Sequence, residues 1–266
     1  MAASATLPAP PRSSRRALVL GGLLVAGLIA IHVVAWRQTE FSLGALARGW
    51  HGMVDFVGEA LPPDLSVLSD GIDASLVTLC IGLLGTTFSI PFALALAVLG
   101  ARTTAPNATV YQLSRSLLSF LRAVPDVVFA LIFVTAVGLG PFPGVLALIV
   151  HNTGVMGKLW SEAIEETDLG PVDALRVGGA SGPQVVANAV LPAVVPQFVG
   201  LALYRFDVNV RASLVLGLVG AGGIGFLINQ SIQLFRFDQM FTYILVVLVL
   251  IIAVDQLSAL VRRQLA

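Results

Sequence analysis

The sequence predicts an all-α integral membrane protein with about six transmembrane helices, and three observations predict it. Apolar residues make up 57% of the chain and charged residues 11%, against about a quarter charged in soluble domains. Mean hydropathy is +0.92, which leaves too little polar surface to cover a globule in water. Apolar runs of roughly twenty residues, the length a helix needs to cross the hydrocarbon core, recur between short polar links. Net charge is zero, so the chain has no basic footprint for nucleic acid. The single Cys80 lies in an apolar run and makes no intrachain disulfide.

Residues 1–16 are Ala/Pro/Ser-rich with Arg12, Arg15 and Arg16, the composition of a disordered cytoplasmic N-terminus. Residues 17–36 are uncharged and end at Trp36, which predicts a first span. A cleaved twin-arginine leader at Ser14-Arg15-Arg16 is the competing reading, but the apolar run exceeds the roughly 7–15 residues of a signal core. Within 37–71, Leu43, Leu46, Trp50, Met53, Val54 and Val57 recur at helical spacing, predicting an amphipathic helix on the outer interface. Pro62-Pro63 stops it. Residues 17–71 thus form a first helix and outer segment, and 72–266 the transmembrane domain proper.

The second span is predicted over 73–99, with a kink at Pro91 that neighbouring helices tolerate. A polar link, ARTTAPNAT, leads to a third span over 117–139. GLGPFPG (138–144) then makes a tight turn, and the fourth span covers 144–160. The fifth starts near 194 and reaches the glycine cluster at 220–225, and the sixth covers 239–258 before Arg262-Arg263. With the N-terminus inside, Arg12, Arg15, Arg16, Arg102, Arg115, Arg262 and Arg263 all fall on the cytoplasmic side, as the positive-inside rule asks. Both termini and the polar segment between the fourth and fifth spans are then cytoplasmic.

That segment carries the most specific signal. Residues 161–167 and 182–190 read as short helices, with Gly178-Gly179 supplying the turn between them. Two short helices projecting from a bilayer suit docking into a partner's groove. The segment DALRVGGASGPQVVANAVLP (173–192) resembles the EAA loop of bacterial ABC importer permeases: EAA, three residues, Gly, nine residues, Ile, any residue, Leu-Pro. Asp173, Ala174 and Leu175 hold the EAA places, Gly179 the glycine with Ala180 and Ser181 following it, and Leu191-Pro192 match outright. Asp173 keeps the charge of the consensus glutamate, whereas Ala189 in the isoleucine place removes an apolar contact. The resemblance implies that these residues couple the chain to an ATPase. The chain itself has no Walker A: its only lysine, Lys158, sits in GVMGKL, which lacks both the spacing and the Ser/Thr. The chain is accordingly expected not to be an enzyme, and the resemblance implies that ATP and Mg belong to a separate subunit.

GAGGIG, with Gly220, Gly222, Gly223 and Gly225, satisfies G-x-G-x-x-G. The dinucleotide reading needs a βαβ unit, which membrane spans on both sides exclude. Small residues in a membrane helix permit close packing and breaks, so the cluster reads as a gate, hinge or packing site. Polar residues inside spans are costly and informative. About twenty residues cross the core, so Arg205, Asp207, Asn209 and Arg211 lie deep in the fifth span. Asp207 and Arg211 are spaced i, i+4 and neutralise one another, while Arg205, on the face of Asn209, has no local carboxylate. Arg122 and Asp126 make a second i, i+4 pair around Pro125, and His151 and Asn152 fall midway along the fourth span. Comparable depth places these groups in one polar band along a central path. A lone His151 with no second ligand at metal spacing argues against a metal site, and no nucleophile–base arrangement is apparent.

Residues 130–148, 157–181 and 191–226, above all YRFDVNVR followed by GAGGIG, resemble the phosphonate importer permeases in particular. The resemblance implies a type I ABC importer permease fold with a cytoplasmic coupling loop, in the bacterial cytoplasmic membrane. It implies a homodimer of this chain, cytoplasmic ATPase subunits and an extracytoplasmic substrate-binding protein, with phosphonate, phosphite or phosphate as cargo. A planar guanidinium such as that of Arg205 suits an oxyanion through paired, charge-assisted hydrogen bonds. The alternatives are a permease for another small solute such as methionine, or a secondary transporter working without an ATPase.

Overall fold

The computed structural model describes residues 15–265, and the rest of the segment expected to be disordered lies outside the described residues. Eleven α-helices are described: α1 (Arg15–Gln38), α2 (Leu43–Ala60), α3 (Leu68–Leu99), α4 (Ala108–Ala123), α5 (Asp126–Val137), α6 (Pro141–Glu165), α7 (Leu169–Val177), α8 (Gly182–Val185), α9 (Leu191–Leu218), α10 (Ile224–Gln233) and α11 (Phe237–Leu265). A 3-10 turn, Leu65–Val67, precedes α3, and a π-helical turn, Val186–Val190, joins α8 to α9.

The chain divides into two compact units, Met1–Asp55 and Phe56–Ala266. In the first, the described side chains of α1 are exposed throughout, as a helix facing lipid requires. Ser42 caps the start of α2, its Oγ accepting from the Ala45 amide at 3.1 Å.

In the second unit α6 lies at the centre, packed on α3, α4, α5 and α9. Its small residues allow the approach: a Cβ on Gly154 would stand 2.6 Å from both the Arg122 amide and the Leu121 side chain on α4. The core falls into three clusters. One, around Met156, Trp160, Ile164, Val190 and Phe198, joins α3, α6 and α9 at the α7 end, with the Trp160 and Phe198 rings stacked 4.4 Å apart. The second, around Ile81, Ala130, Leu148 and Leu216, fills the middle, and the third joins Ile224 to Tyr243 and Val247 of α11.

Several expectations are corrected. The span predicted over 117–139 is two helices, α4 and α5, bent by 85° at Val124-Pro125. Pro125 lacks an N–H and holds the preceding residue extended, and Val124 has ψ 123°. Among the described residues four helical stretches are long and apolar enough to cross a membrane by length and composition, or five if the bent pair is one span. The helix expected at 144–160 begins earlier, at Pro141, and runs to Glu165, but it is too polar to be among the four. Residues 161–167 are not a separate short helix: most of them are the last turn of α6, and the projecting helix is α7. Pro91 and Pro196, by contrast, sit inside continuous helices.

Candidate functional site

Three stations lie along α6, one at each end and one midway. At its N-terminal end the glycine cluster leaves α9. Gly220, Gly222 and Gly223 have φ of 94°, 78° and 72°, the left-handed region that glycine enters without penalty, and they reverse the chain into α10. The turn is clamped from two sides. The Gly140 amide donates to Gly220 O at 3.0 Å, and the Ile224 amide donates to Thr78 Oγ1 of α3 at 2.9 Å. A Cβ on Gly223 would collide with Thr78 Oγ1, and one on Gly225 with the Leu214 carbonyl. Beside the turn lies a cavity of ≈ 370 Å³ lined by Val77, Leu139, Pro141, Gly220, Gly222 and Phe226, among others.

Midway, a hydrogen-bonded chain crosses three helices. Arg205 of α9 donates through Nε (3.0 Å) and Nη2 (2.6 Å) to Asn152 Oδ1 of α6. Nη2 also reaches Asn209 Oδ1 at 3.4 Å. Asn209 Nδ2 donates to Thr86 Oγ1 of α3 at 2.7 Å, and Thr86 donates to Gly82 O at 2.7 Å. Asn152 and Asn209 are fully buried, yet Asn152 Nδ2 has no partner among the described residues. Arg205 is therefore not the unpartnered charge the spacing suggested: two amide oxygens hold it. Both are neutral, and no carboxylate bridges it among the described residues. His151 is turned to the helix break, its Nδ1 lying 3.1 Å from Val124 O.

The predicted single polar band is really two groups. Asp207 and Arg211 point away from Arg205, toward α11. Asp207 is buried and receives Arg211 Nη2 at 3.0 and 2.8 Å, with Asp255 a further 3.6 Å away. The predicted Arg122–Asp126 pair does not form, because the break at Pro125 sets the two on different helices. Asp126 instead accepts from the Val127 amide at 2.9 Å, and Arg122 is exposed.

At the C-terminal end of α6 stands the polar segment. Asp168 caps α7, accepting from the Gly170 amide at 3.0 Å. The helix closes on Gly178-Gly179: Gly179 N–H donates to Arg176 O and Ala180 N–H to Leu175 O, each at 3.0 Å. These are the two bonds of a Schellman cap, and they require the left-handed Gly179, φ 81°. Asp173, Ala174 and Gly179 are exposed, and Val177 beside them is 91% exposed. Leu175 is half-buried against the core cluster that contains Ala189. Ser181 and Gln184 form a capping box on α8, and the π turn brings the chain to Leu191-Pro192 at the head of α9. Asn188 lies in that turn, where its Nδ2 donates to Gln184 O at 2.7 Å. No sequence pattern marks Thr78, Thr86 and Asp255 as partners, because each meets its partner from a distant part of the chain.

No group of three or more His, Cys, Asp or Glu side chains among the described residues suits a metal ion.

Residues 89–266 match the family described as Binding-protein-dependent transport system inner membrane component. The phosphite transport system permease protein PtxC of Stutzerimonas stutzeri is 40% identical over 247 residues, which is 93% of this chain and 87% of that protein. The phosphate-import permease protein PhnE of Mycolicibacterium smegmatis is 39% identical over 231 residues, covering 87% of this chain and 43% of that longer one. Among solved structures, a chain of the inward-facing MetNI methionine ABC transporter superposes with a TM-score of 0.62 at 22% identity, over 76% of this chain and 97% of that one. A chain of a bacterial alginate ABC transporter gives 0.58 at 15% identity, over 91% and 96%. At such identities these two likenesses speak for the fold alone. An all-helical apolar bundle, a glycine-capped helix at one end and kinship at 40% identity over 93% of the chain converge: the chain belongs to the binding-protein-dependent transport system inner membrane components, as a non-enzymatic, multi-pass permease subunit of the bacterial inner membrane with the type I ABC importer fold.

Proposed function

We propose that this chain forms the translocation path of an ATP-driven importer for a phosphorus oxyanion, namely phosphonate, phosphite or phosphate. The observation that carries the cargo is 40% identity to a phosphite permease across 93% of the chain. The chemistry of the middle station agrees with it. Arg205 is fixed by two neutral amide oxygens, so it keeps its positive charge and a guanidinium edge for an incoming anion. A transit site must also release what it binds, and one oriented fork meets that need better than a closed cage. In this reading the fully buried Asn209 and Asn152 hold it toward the path from behind, half-buried His151 stands beside it, and the Asp207–Arg211 pair secures the path to α11. The glycine turn at Gly220, Gly222, Gly223 and Gly225 is the outer gate.

The exposed face of α7 and its cap, with Asp173, Ala174 and Gly179 held over the half-buried Leu175, is the surface that docks on a cytoplasmic ATPase, supported by Ala180, Ser181, Leu191 and Pro192. Both termini then lie in the cytoplasm. A second copy of this chain completes the path, and an extracytoplasmic binding protein delivers the cargo. ATP and Mg act on the ATPase. When its halves close, the docked α7 helices approach each other and the spans rock, opening the outer side as the inner side shuts.

The test is ATP hydrolysis by the complex reconstituted with its ATPase and binding protein, offered phosphonate, phosphite, phosphate and methionine in turn. Stimulation by a phosphorus oxyanion is expected. Stimulation by methionine alone would keep the machine and discard the cargo.

A further inference from the structure

Whatever docks on α7, its movement must reach α6, the helix that touches both the Arg205 station and the glycine turn. The covalent connection is short and soft: between Glu165, the last residue of α6, and Leu169, the first of α7, stand Glu166, Thr167 and Asp168. Three non-helical residues act as a joint, which absorbs displacement unless something braces it.

The structure supplies a brace through the link between α3 and α4. Arg176 of α7 donates from Nη2 to Thr103 O in that link at 3.1 Å. The same link is fastened to α6: the Arg102 backbone N–H donates to Glu165 Oε1 at 2.9 Å. Arg115 of α4 donates from Nη1 to that same oxygen at 3.0 Å and to Gly100 O at 3.2 Å. Its other nitrogen stands 3.5 Å from Glu162, which also holds Lys158 at 3.3 Å. The Arg115, Glu165 and Lys158 side chains are only 21, 25 and 13% exposed, against 41% for Glu162 and 53% for Arg176, so the Arg115–Glu165 pair is shielded from the screening that weakens surface pairs while the Arg176 tie lies at the surface. Tyr111 stiffens the link further. Its hydroxyl accepts from Arg102 Nε at 3.1 Å, and its ring lies under the guanidiniums of Arg102 and Arg115 at 5.5 and 5.6 Å. The bond to Tyr111 holds the Arg102 guanidinium above its ordinary pKa. One oxygen, Glu165 Oε1, thus joins α4, the α3–α4 link and α6, and Arg176 ties α7 to the same body.

We infer that Glu165 is a positioning residue for transport: it locks α6, the α3–α4 link and α7 into one rigid elbow, so that displacement of α7 turns α6 instead of being lost in the Glu166–Asp168 joint. Force applied at α7 then reaches Asn152 and the glycine turn along a single helix about 37 Å long. This inference rests on the reading of α7 as the ATPase-docking helix, and the elbow itself can be tested without the ATPase.

In the full chain in nanodiscs, with Cys80→Ser, spin labels at Val177→Cys on α7 and Ser116→Cys on α4 report the distance between the two bodies. A single narrow distribution is expected, broadening or splitting on Glu165→Ala. A distribution that Glu165→Ala leaves unchanged overturns the elbow. Should Glu165→Ala fail to accumulate in the membrane, Glu165→Gln decides. It keeps the oxygen that accepts from Arg102 but loses the charge facing Arg115, and intermediate broadening is expected. In the assembled transporter, cargo moved per ATP should fall about fivefold or more on Glu165→Ala, the low end of ordinary coupling between sites. Basal hydrolysis and ATPase co-purification should stay as in the parent. The swap Arg115→Glu with Glu165→Arg should recover transport above either single change. Unaltered transport per ATP, or a swap no better than its parts, also overturns the proposal. A parent chain that fails to retain the ATPase would instead refute the docking role of α7, while the spin-label distances still judge the elbow.

Discussion

Arg205 shows what a charge inside a membrane bundle requires. Its guanidinium is oriented from two helices by Asn152 and Asn209, and Asn209 is oriented in turn by Thr86 of a third. Truncating Asn152 to Ala leaves a half-buried cation short of its best acceptor, which should cost about 1–3 kcal/mol, read as a lowered unfolding midpoint in nanodiscs. Arg205→Ala removes the donor while the amides can bond each other or water, so assembly should survive and uptake should fall by more than about tenfold, as when a charge-assisted contact to the cargo is lost. Wild-type uptake by Arg205→Ala would make the residue merely structural. The sequence showed that Arg205 was deep and without a local acid, but not what held it, because Asn152 lies 53 positions away. Spacing along one helix reveals i, i+4 neighbours such as Asp207 and Arg211 and is blind to partners on another helix.

Among the elements, the glycine cap of α7 was read most directly, although the helix before it was expected at 161–167, because the motif fixes a turn by chemistry: Gly179 stands where only a left-handed residue closes the Schellman cap. Gly179→Ala meets no atom within 4 Å and should cost only about 1–2 kcal/mol of backbone strain. Gly179→Pro both forbids the positive φ and removes the N–H that bonds Arg176 O, so the chain should insert but lose its ATPase on co-purification. Equal retention of the ATPase by the two variants would contradict this. The bent α4–α5 pair was misread for an equally physical reason. Hydropathy is continuous across Val124-Pro125, and proline is a poor guide on its own, since Pro91 and Pro196 leave their helices unbroken. The end of α6 was misplaced because charged residues resemble a loop until Arg115 and Lys158 are seen to neutralise them. At the other end of the bundle, Asp64 ties the link before α3 to α11. It accepts from the Ser66 amide at 2.9 Å and from Gln239 at 3.1 Å, and its carbonyl accepts from Thr242 at 2.8 Å. Hydrogen bonding from Ser66, then Gln239, holds its carboxyl below the ordinary 3.8. A depressed carboxylate stabilises the fold above its unfolded pKa and loses that contribution as pH falls through the folded value. The wild-type unfolding midpoint should therefore exceed that of Asp64→Asn by a constant margin above about pH 4, and the two should converge only in stronger acid.

At the scale of the whole molecule, a long helix too polar to count as a span by length and composition occupies the centre of the second unit. α6 carries His151, Asn152, Lys158, Glu162 and Glu165, and α3, α4 and α5 surround it while α11 presents an apolar face outward. That arrangement governs biogenesis as well as transport. A segment this polar gains little by partitioning into lipid alone, so during synthesis it must wait beside the insertion machinery until α3 and α4 offer Ala93, Leu118 and Arg115 as neighbours. Fused singly to a reporter, α6 should fail to insert, and it should insert once α3 to α5 precede it. The same property makes the centre of the bundle a checkpoint. A lesion in α3 or α4 should leave a charged helix without its partners, and such a chain should fail to accumulate in the membrane.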